Sequence, residues 1–286
     1  MVIAFLSSLF FAIAHVTARV GLRTVDARSG AALSVPTATV LFILAAPFVL
    51  DTTGFDWRAA LLFASVGLIF PATVTLLTFR SNELLGPTVT SAVSGTAPLF
   101  ALAGASLFLG ERVPGQAALA ALGVVVGVAL LSWRREETRQ GFGGWAVLWP
   151  LSGAIVRALA QTGVKAGLLI WANAFAAGLI GYLLSSTVLL AADRLRRSQR
   201  PKLSRRDFAW FAGTGVLNGG AVLLMYYALG MAPVWVVAPI IASSPLFTAL
   251  ISSAVLPDDK LTLRTAAGAG LTIFAIIWLM RALSPA

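Results

Sequence analysis

Residues 97–131, APLFALAGASLFLGERVPGQAALAALGVVVGVALL, and residues 244–278, SPLFTALISSAVLPDDKLTLRTAAGAGLTIFAIIW, are one pattern written twice. In the first, Pro98-Leu99-Phe100 opens an apolar run that ends at Leu109-Gly110-Glu111-Arg112, and a second run containing Gly123 follows. In the second, Pro245-Leu246-Phe247 leads to Leu256-Pro257-Asp258-Asp259 and then to a run containing Gly270. Each copy is thus a pair of apolar segments joined by a short polar break, and segments of this kind approach the roughly 20 residues that cross a hydrocarbon core as helix. Working outward, a shift of 147 superposes the halves without a gap from Leu61 onward, placing Glu111 on Asp258 and Arg134 on Arg281. Nearer the start, a shift of 146 puts Arg19-Val20-Gly21-Leu22 on Lys165-Ala166-Gly167-Leu168.

The rest of the chain fits between these anchors as further apolar runs. Five are predicted in the first half: Val2–Ala18, Ala31–Leu50, Ala59–Phe79, Pro87–Leu109 and Gln116–Ser132. Five more follow: Gly144–Val164, Leu168–Ala192, Phe208–Leu229, Ala232–Leu256 and Leu263–Met280. The composition agrees. Of 286 residues 58% are hydrophobic and only 11% charged, with mean hydropathy +0.90. A soluble domain carries about 25% charged residues. Trp57, Trp133, Trp145, Trp171, Trp210 and Trp278 fall near predicted helix ends, where the membrane interface favours the indole ring. The expected architecture is an all-α membrane protein of ten transmembrane helices: a first unit over residues 1–135, a linker over 136–142 and a second unit over 143–286. Because each unit has an odd number of helices, the second enters the membrane in the opposite sense, which makes an inverted-topology repeat.

The pattern resembles the drug/metabolite transporter superfamily, EamA type. The matching residues are the two first-helix ends at Arg19–Leu22 and Lys165–Leu168, Tyr227-Ala228-Leu229 followed by Pro233, and Pro98-Leu99-Phe100 leading to Leu109-Gly110-Glu111-Arg112 with Gly123 beyond. Two places depart from it: Leu256-Pro257-Asp258-Asp259 stands where Leu-Gly-Glu-Arg is expected, and Arg80-Ser81-Asn82 where Tyr-Ala-Leu is expected. The resemblance spans nearly the whole chain. It implies an exporter of amino acids or other metabolites without fixing the substrate.

Charge sets the orientation. The loops after predicted helices one, three, five, seven and nine hold most of the lysines and arginines, including the cluster Arg194, Arg196, Arg197, Arg200, Lys202, Arg205 and Arg206. Positive loops stay in the cytoplasm, so both termini are expected outside, in a multi-pass protein of the inner cell membrane. The net charge of +10 therefore reads as cytoplasmic loops facing membrane lipid rather than as a nucleic-acid surface. Met1–Ala14 is apolar like a signal-peptide core, but it lacks a basic start and its run continues to Val20, which predicts a retained helix.

Polar groups inside spans mark candidate sites, since each is expensive in hydrocarbon. Arg157, Gln161 and Lys165 recur every fourth residue and share one helix face. Arg157 lies too deep to reach the interface easily, and an anionic group of a substrate would compensate it; backbone carbonyls or a neighbouring helix would be the structural alternative. His15, the single histidine, is on a stripe with Ser8, Phe11 and Arg19, and the repeat pairs it with Gln161. It suits proton coupling or plain hydrogen-bonded packing. Asn218 lies mid-span with Val222 and Tyr226 on its face, as a substrate contact or a helix–helix bond. Trp235 and Tyr227 are candidates for a cavity mouth or an interfacial belt. Pro98 and Pro245 are expected to kink their helices, as symmetric hinges or as shapers of the bundle. Glu111 and Arg112, at a helix end, are expected to cap.

The absences narrow the chemistry. No cysteine is present, which removes disulfides and thiolate chemistry. No Asp or Glu lies in the middle of a predicted span, so the exchange of protons for cationic drugs that small multidrug transporters base on an intramembrane carboxylate is not expected. With one histidine and no buried carboxylate, no metal site, cofactor or catalytic dyad is expected, and the chain is read as a non-enzyme. There is no phosphate-binding loop for ATP. The leading expectation is a secondary carrier exporting a small carboxylate-bearing metabolite. The alternative is a flippase for a lipid or lipid-linked sugar. One chain holds both units, enough to form the pathway as a monomer.

Overall fold

The computed structural model describes residues 1–132, 144–194, 203–255 and 263–281. Among the described residues the chain is helical, with no strand. The helices are α1 (Val2–Gly21), α2 (Ala27–Val49), α3 (Trp57–Ile69), α4 (Ala72–Ser94), α5 (Ala97–Leu109) and α6 (Gly115–Ser132). A 3-10 turn at Gly144–Val147 leads into α7 (Leu148–Ile170), followed by α8 (Ala174–Arg194), α9 (Arg205–Met231), α10 (Val234–Ile241), α11 (Ser244–Val255) and α12 (Leu263–Arg281). Among the described residues seven helical stretches are long and apolar enough to cross a membrane, and α5, α6 and α12 include shorter apolar helices.

Helix starts follow the local chemistry of the chain. Asp26 accepts from the Arg28 and Ser29 N–H groups at the head of α2, and Asp56 accepts from the Arg58 N–H at the head of α3. Ser204 and Asp207 cap α9 reciprocally. These are oxygens offered to N–H groups that have no partner inside the helix. Between the ends, apolar side chains point outward as well as inward: Phe48, Leu107 and Leu263 are exposed, as lipid-facing residues are.

Small residues set the close contacts. Gly21 and Gly167, paired by the repeat, each seat a phenylalanine ring: Phe211 of α9 lies on Gly21, and Phe63 of α3 lies on Gly167. Gly67 of α3 meets the backbone of Gly181 in α8, and Gly215 of α9 meets the backbone of Ser34 in α2. Here a Cβ would drive backbones apart, so glycine is what allows the approach. The helix pairs mirror one another. α1 packs on α9 and α11, while α7 packs on α3, α4 and α5. α2 packs on α9 while α8 packs on α3, and α2–α8 and α6–α12 pair directly. Thr39 of α2 and Ser186 of α8, 147 positions apart, share a hydrogen bond.

Three expectations change. The predicted break between Phe79 and Pro87 is helix, because α4 runs unbroken from Ala72 to Ser94. Arg80, Asn82 and Glu83 suggest a loop by polarity alone, but polarity does not interrupt a helix. The break comes earlier, at the cis Phe70–Pro71 peptide. Pro98 and Pro245 do not bend continuous helices. Each is the second residue of a new helix, α5 or α11, after interruptions at Gly95–Thr96 and Ala242–Ser243 that are themselves repeat counterparts. Proline suits this place, where its missing N–H has no intrahelical partner to lose. Finally, Trp171 is buried rather than lipid-facing. Its indole N–H donates to the Thr53 carbonyl (3.1 Å), and its ring meets Phe55 and Phe63, docking the loop after α2 onto the end of α7. In that loop Asp51 accepts from the Thr53 hydroxyl and N–H, which hold its carboxyl below the usual carboxylate range. Trp133, Arg134, the linker, most of the basic loop before Leu203 and the motif Leu256–Asp259 lie outside the described residues.

Candidate functional site

α7 carries the polar stripe, and its three members meet different fates. Arg157 is half-buried, and among the described residues it has no hydrogen-bond partner and no carboxylate. The backbone-carbonyl clamp that would make it structural is not found among them. His15 of α1 is exposed, although the residues around it on α1 are mostly enclosed. It lies within electrostatic reach of Arg157. α1 and α7 do not pack closely on one another. The imidazole and guanidinium are therefore electrostatic neighbours on helices that do not pack closely.

Gln161, one turn from Arg157, is 2% exposed. Its Nε2 donates to the Met225 sulfur at 3.5 Å, while its Oε1 has no partner among the described residues. A buried amide oxygen left unpaired costs about 1–3 kcal/mol, so a donor is missing there. Lys165 is engaged: its Nζ donates to the carbonyls of Leu229 (2.7 Å) and Ala232 (3.1 Å) at the end of α9.

A second polar group lies where α8 meets α9. Asn218 Nδ2 approaches the Tyr182 hydroxyl at 3.5 Å, and Tyr226 is close enough to influence Tyr182 electrostatically. Tyr182 is stacked on Phe42 with ring centroids 5.1 Å apart. Met225, which receives Gln161, is the neighbour of Tyr226, so α9 links the two polar groups. Trp235 is buried in α10. Glu111 caps this helix from the other half of the chain: its two carboxylate oxygens accept from the Val234 N–H at 3.0 and 3.2 Å.

The structure thus sets His15 near Arg157 and joins Asn218 to Tyr182, beside Tyr226, with Gln161 of α7 reaching α9 through Met225; Trp235 stands apart in α10. Tyr182 is absent from the sequence-based candidates. Its position gives a signal, since a tyrosine in the middle of a span sits away from the interfaces that tyrosine favours. The joint role of Glu111 and Lys165 could not be read, because the two are distant in sequence and meet only through the α9–α10 turn.

A profile of the EamA-like transporter family matches residues 1–133 and again residues 144–281. The chain belongs to the EamA-like transporter family. As an EamA-like protein it is a multi-pass membrane protein of a small-molecule transporter type, and the first-helix and Pro-Leu-Phe motifs fall within both matched segments. No curated protein matches the chain at the level of sequence. A solved crystal structure superposes with a TM-score of 0.80 at 14% identity, over 99% of this chain and 98% of its own, and so shares the fold.

Proposed function

We propose that this EamA-like protein is a secondary carrier that exports a small carboxylate-bearing metabolite, such as an amino acid, across the inner cell membrane. It works by alternating access between two inverted five-helix units, with both termini outside. The observation that carries the substrate class is Arg157: a guanidinium within the bundle, facing His15, with no carboxylate partner among the described residues. Insertion scales put an arginine at this depth at about 2.5–3.5 kcal/mol, and a bound carboxylate would offset that through charge-assisted, bidentate hydrogen bonds. The paired helix contacts, the Thr39–Ser186 bond and the Gly21 and Gly167 sockets support the inverted repeat. Gln161 Oε1 offers an acceptor one turn away for an N–H of the same ligand.

The test begins with a thermal-stabilisation screen of metabolites on purified protein, because a ligand that binds the folded state raises its apparent stability. The strongest hit is then measured on Arg157→Ala and Arg157→Lys. Truncating one partner of an enclosed charge pair costs about 2–5 kcal/mol, at least thirtyfold in affinity. Lysine should rescue poorly, since it lacks the planar fork. Near-normal binding and transport of a carboxylate ligand by folded Arg157→Ala would return Arg157 to a structural role.

A further inference from the structure

The turn between α9 and α10 leaves helix-end groups that need partners. Pro233 has no N–H, so the Leu229 carbonyl receives no intrahelical bond from it. Lys165 Nζ supplies the donor and takes in the Ala232 carbonyl as well. On the other side of the turn the Val234 N–H opens α10, and the Glu111 carboxylate accepts from it. A cation at a helix C-terminus and an anion at a helix N-terminus each match the end charges of the helix. Gly110, at φ 65°, makes the left-handed turn that ends α5 just before Glu111. Glu111 also lies within electrostatic reach of Lys165. Three distant parts of the chain are tied together here: the α5–α6 loop, the end part of α7 and the α9–α10 turn.

The repeat counterpart of this turn differs. Residues 84–87 are the counterparts of 231–234, and there α4 continues as one helix. Conversely, α9 runs unbroken through Leu217–Asn218, the counterparts of the Phe70–Pro71 interruption. The halves break differently at these two places, whereas the breaks at Gly95–Thr96 and Ala242–Ser243 are equivalent.

We propose that Glu111 and Lys165 are positioning residues of the transport cycle: together they latch the α9–α10 turn against α7 and the α5–α6 loop and close this end of the bundle. When the end opens, these contacts break and the turn moves away from α7 and the α5–α6 loop. Glu111 and Lys165 are then released to pair with each other. The inference rests on the alternating-access reading, though not on the identity of the substrate.

The chain has no cysteine, so spin labels on cysteines introduced at Arg112 and Met231, both exposed and flanking the latch, report its width without background. Distances are measured by pulsed electron resonance on the full chain in lipid nanodiscs. The parent should give one short distance. Glu111→Ala and Lys165→Ala should each add a longer one, raising the ratio of long to short about tenfold, the worth of a charge-assisted bond. The exchange Glu111→Lys with Lys165→Glu keeps mutual attraction but sets the wrong charge at each helix end, and should open the turn at least as far as either alanine. If Glu111→Ala does not fold, Glu111→Gln, which keeps one oxygen, should give an intermediate ratio. Parent-like distances in the single variants, or in the charge exchange, would overturn the latch. Unchanged distances alongside lost ligand binding in Arg157→Ala would remove the latch and leave the carrier reading standing; the reverse pattern would remove only the Arg157 reading.

Discussion

Gln161→Met should make the protein more stable and less able to hold its ligand. The starting point is the amide itself: buried, with Nε2 on the Met225 sulfur at 3.5 Å and Oε1 unpartnered. The unmade bond at Oε1 costs about 1–3 kcal/mol, whereas sulfur is a weak acceptor and the Nε2 contact returns at most about 0.5–1 kcal/mol. Methionine is unbranched and of similar length, so it fills the place without a cavity and sets thioether against thioether. The balance favours the variant by about 1 kcal/mol, worth about 2 °C in melting temperature for a chain of this size. A ligand N–H that relied on Oε1 would lose about 0.5–1.5 kcal/mol, up to tenfold in affinity. The assay is thermal unfolding in nanodiscs, with and without the ligand found by stabilisation. A lower melting temperature in the variant would refute the claim that the oxygen is unsatisfied. A higher one with full ligand response would show that the oxygen is strained but not part of the site. Both effects together are the stability–function trade-off expected where a polar group is kept unpaired for a ligand.

Three further outcomes test the frame around the site. Gly215→Ala places a methyl group against the backbone of Ser34, which cannot swing aside, and should cost about 1–3 kcal/mol; Gly213→Ala in the same helix meets nothing within 4 Å and should be neutral or gain about 0.5–1 kcal/mol, both read by thermal unfolding. Cysteines replacing Thr39 and Ser186, whose hydroxyls are hydrogen-bonded, should oxidise to a disulfide joining the halves, visible on a non-reducing gel after cleavage at a protease site inserted in residues 136–142; separate halves would count against the α2–α8 contact. A cysteine replacing Ser198 in the basic loop should resist impermeant thiol reagents in intact cells, and ready labelling would reverse the proposed orientation.

The all-helical, membrane-spanning character was legible because the bilayer imposes it. Apolar length, the doubled Pro-Leu-Phe pattern and the glycines of the first-helix motif all report backbone requirements, and those requirements reappear as helices, as helix starts that take in the proline and as the Phe211 and Phe63 sockets. The breaks were harder. Proline marks where a helix can begin, but Pro71 interrupts its span while Pro87 lies within α4, so the difference comes from packing rather than from the residue. The site was half legible. Spacing of four placed Arg157, Gln161 and Lys165 on one face, and the repeat paired Gln161 with His15, yet spacing is blind to what each side chain meets. Lys165 meets the carbonyls of α9, Gln161 meets Met225, and Tyr182 joins Asn218 from a different helix. Each of those meetings depends on the register between helices, which a single sequence does not record.

The distribution of charge inside the bundle also bears on what the carrier can accept. Lys165 and Arg157 stand two turns apart on the same helix, and in sequence they look like one anion-binding pair. The structure separates them. Lys165 has two carbonyls at hydrogen-bond distance and the Glu111 carboxylate within reach, so its charge is matched where it stands. Arg157 has His15 as its charged-range neighbour and no anion among the described residues. A carboxylate seated between them would serve both groups. A dianionic ligand would need a second fixed cation, and the one nearest in sequence is already engaged at the α9–α10 turn. On the proposed reading the ligand is a single carboxylate with an N–H donor directed at Gln161, so a competition series should rank monocarboxylates bearing an amine above dicarboxylates of the same length. A dicarboxylate that outcompetes its amino-monocarboxylate analogue would show that Lys165 is released to the ligand.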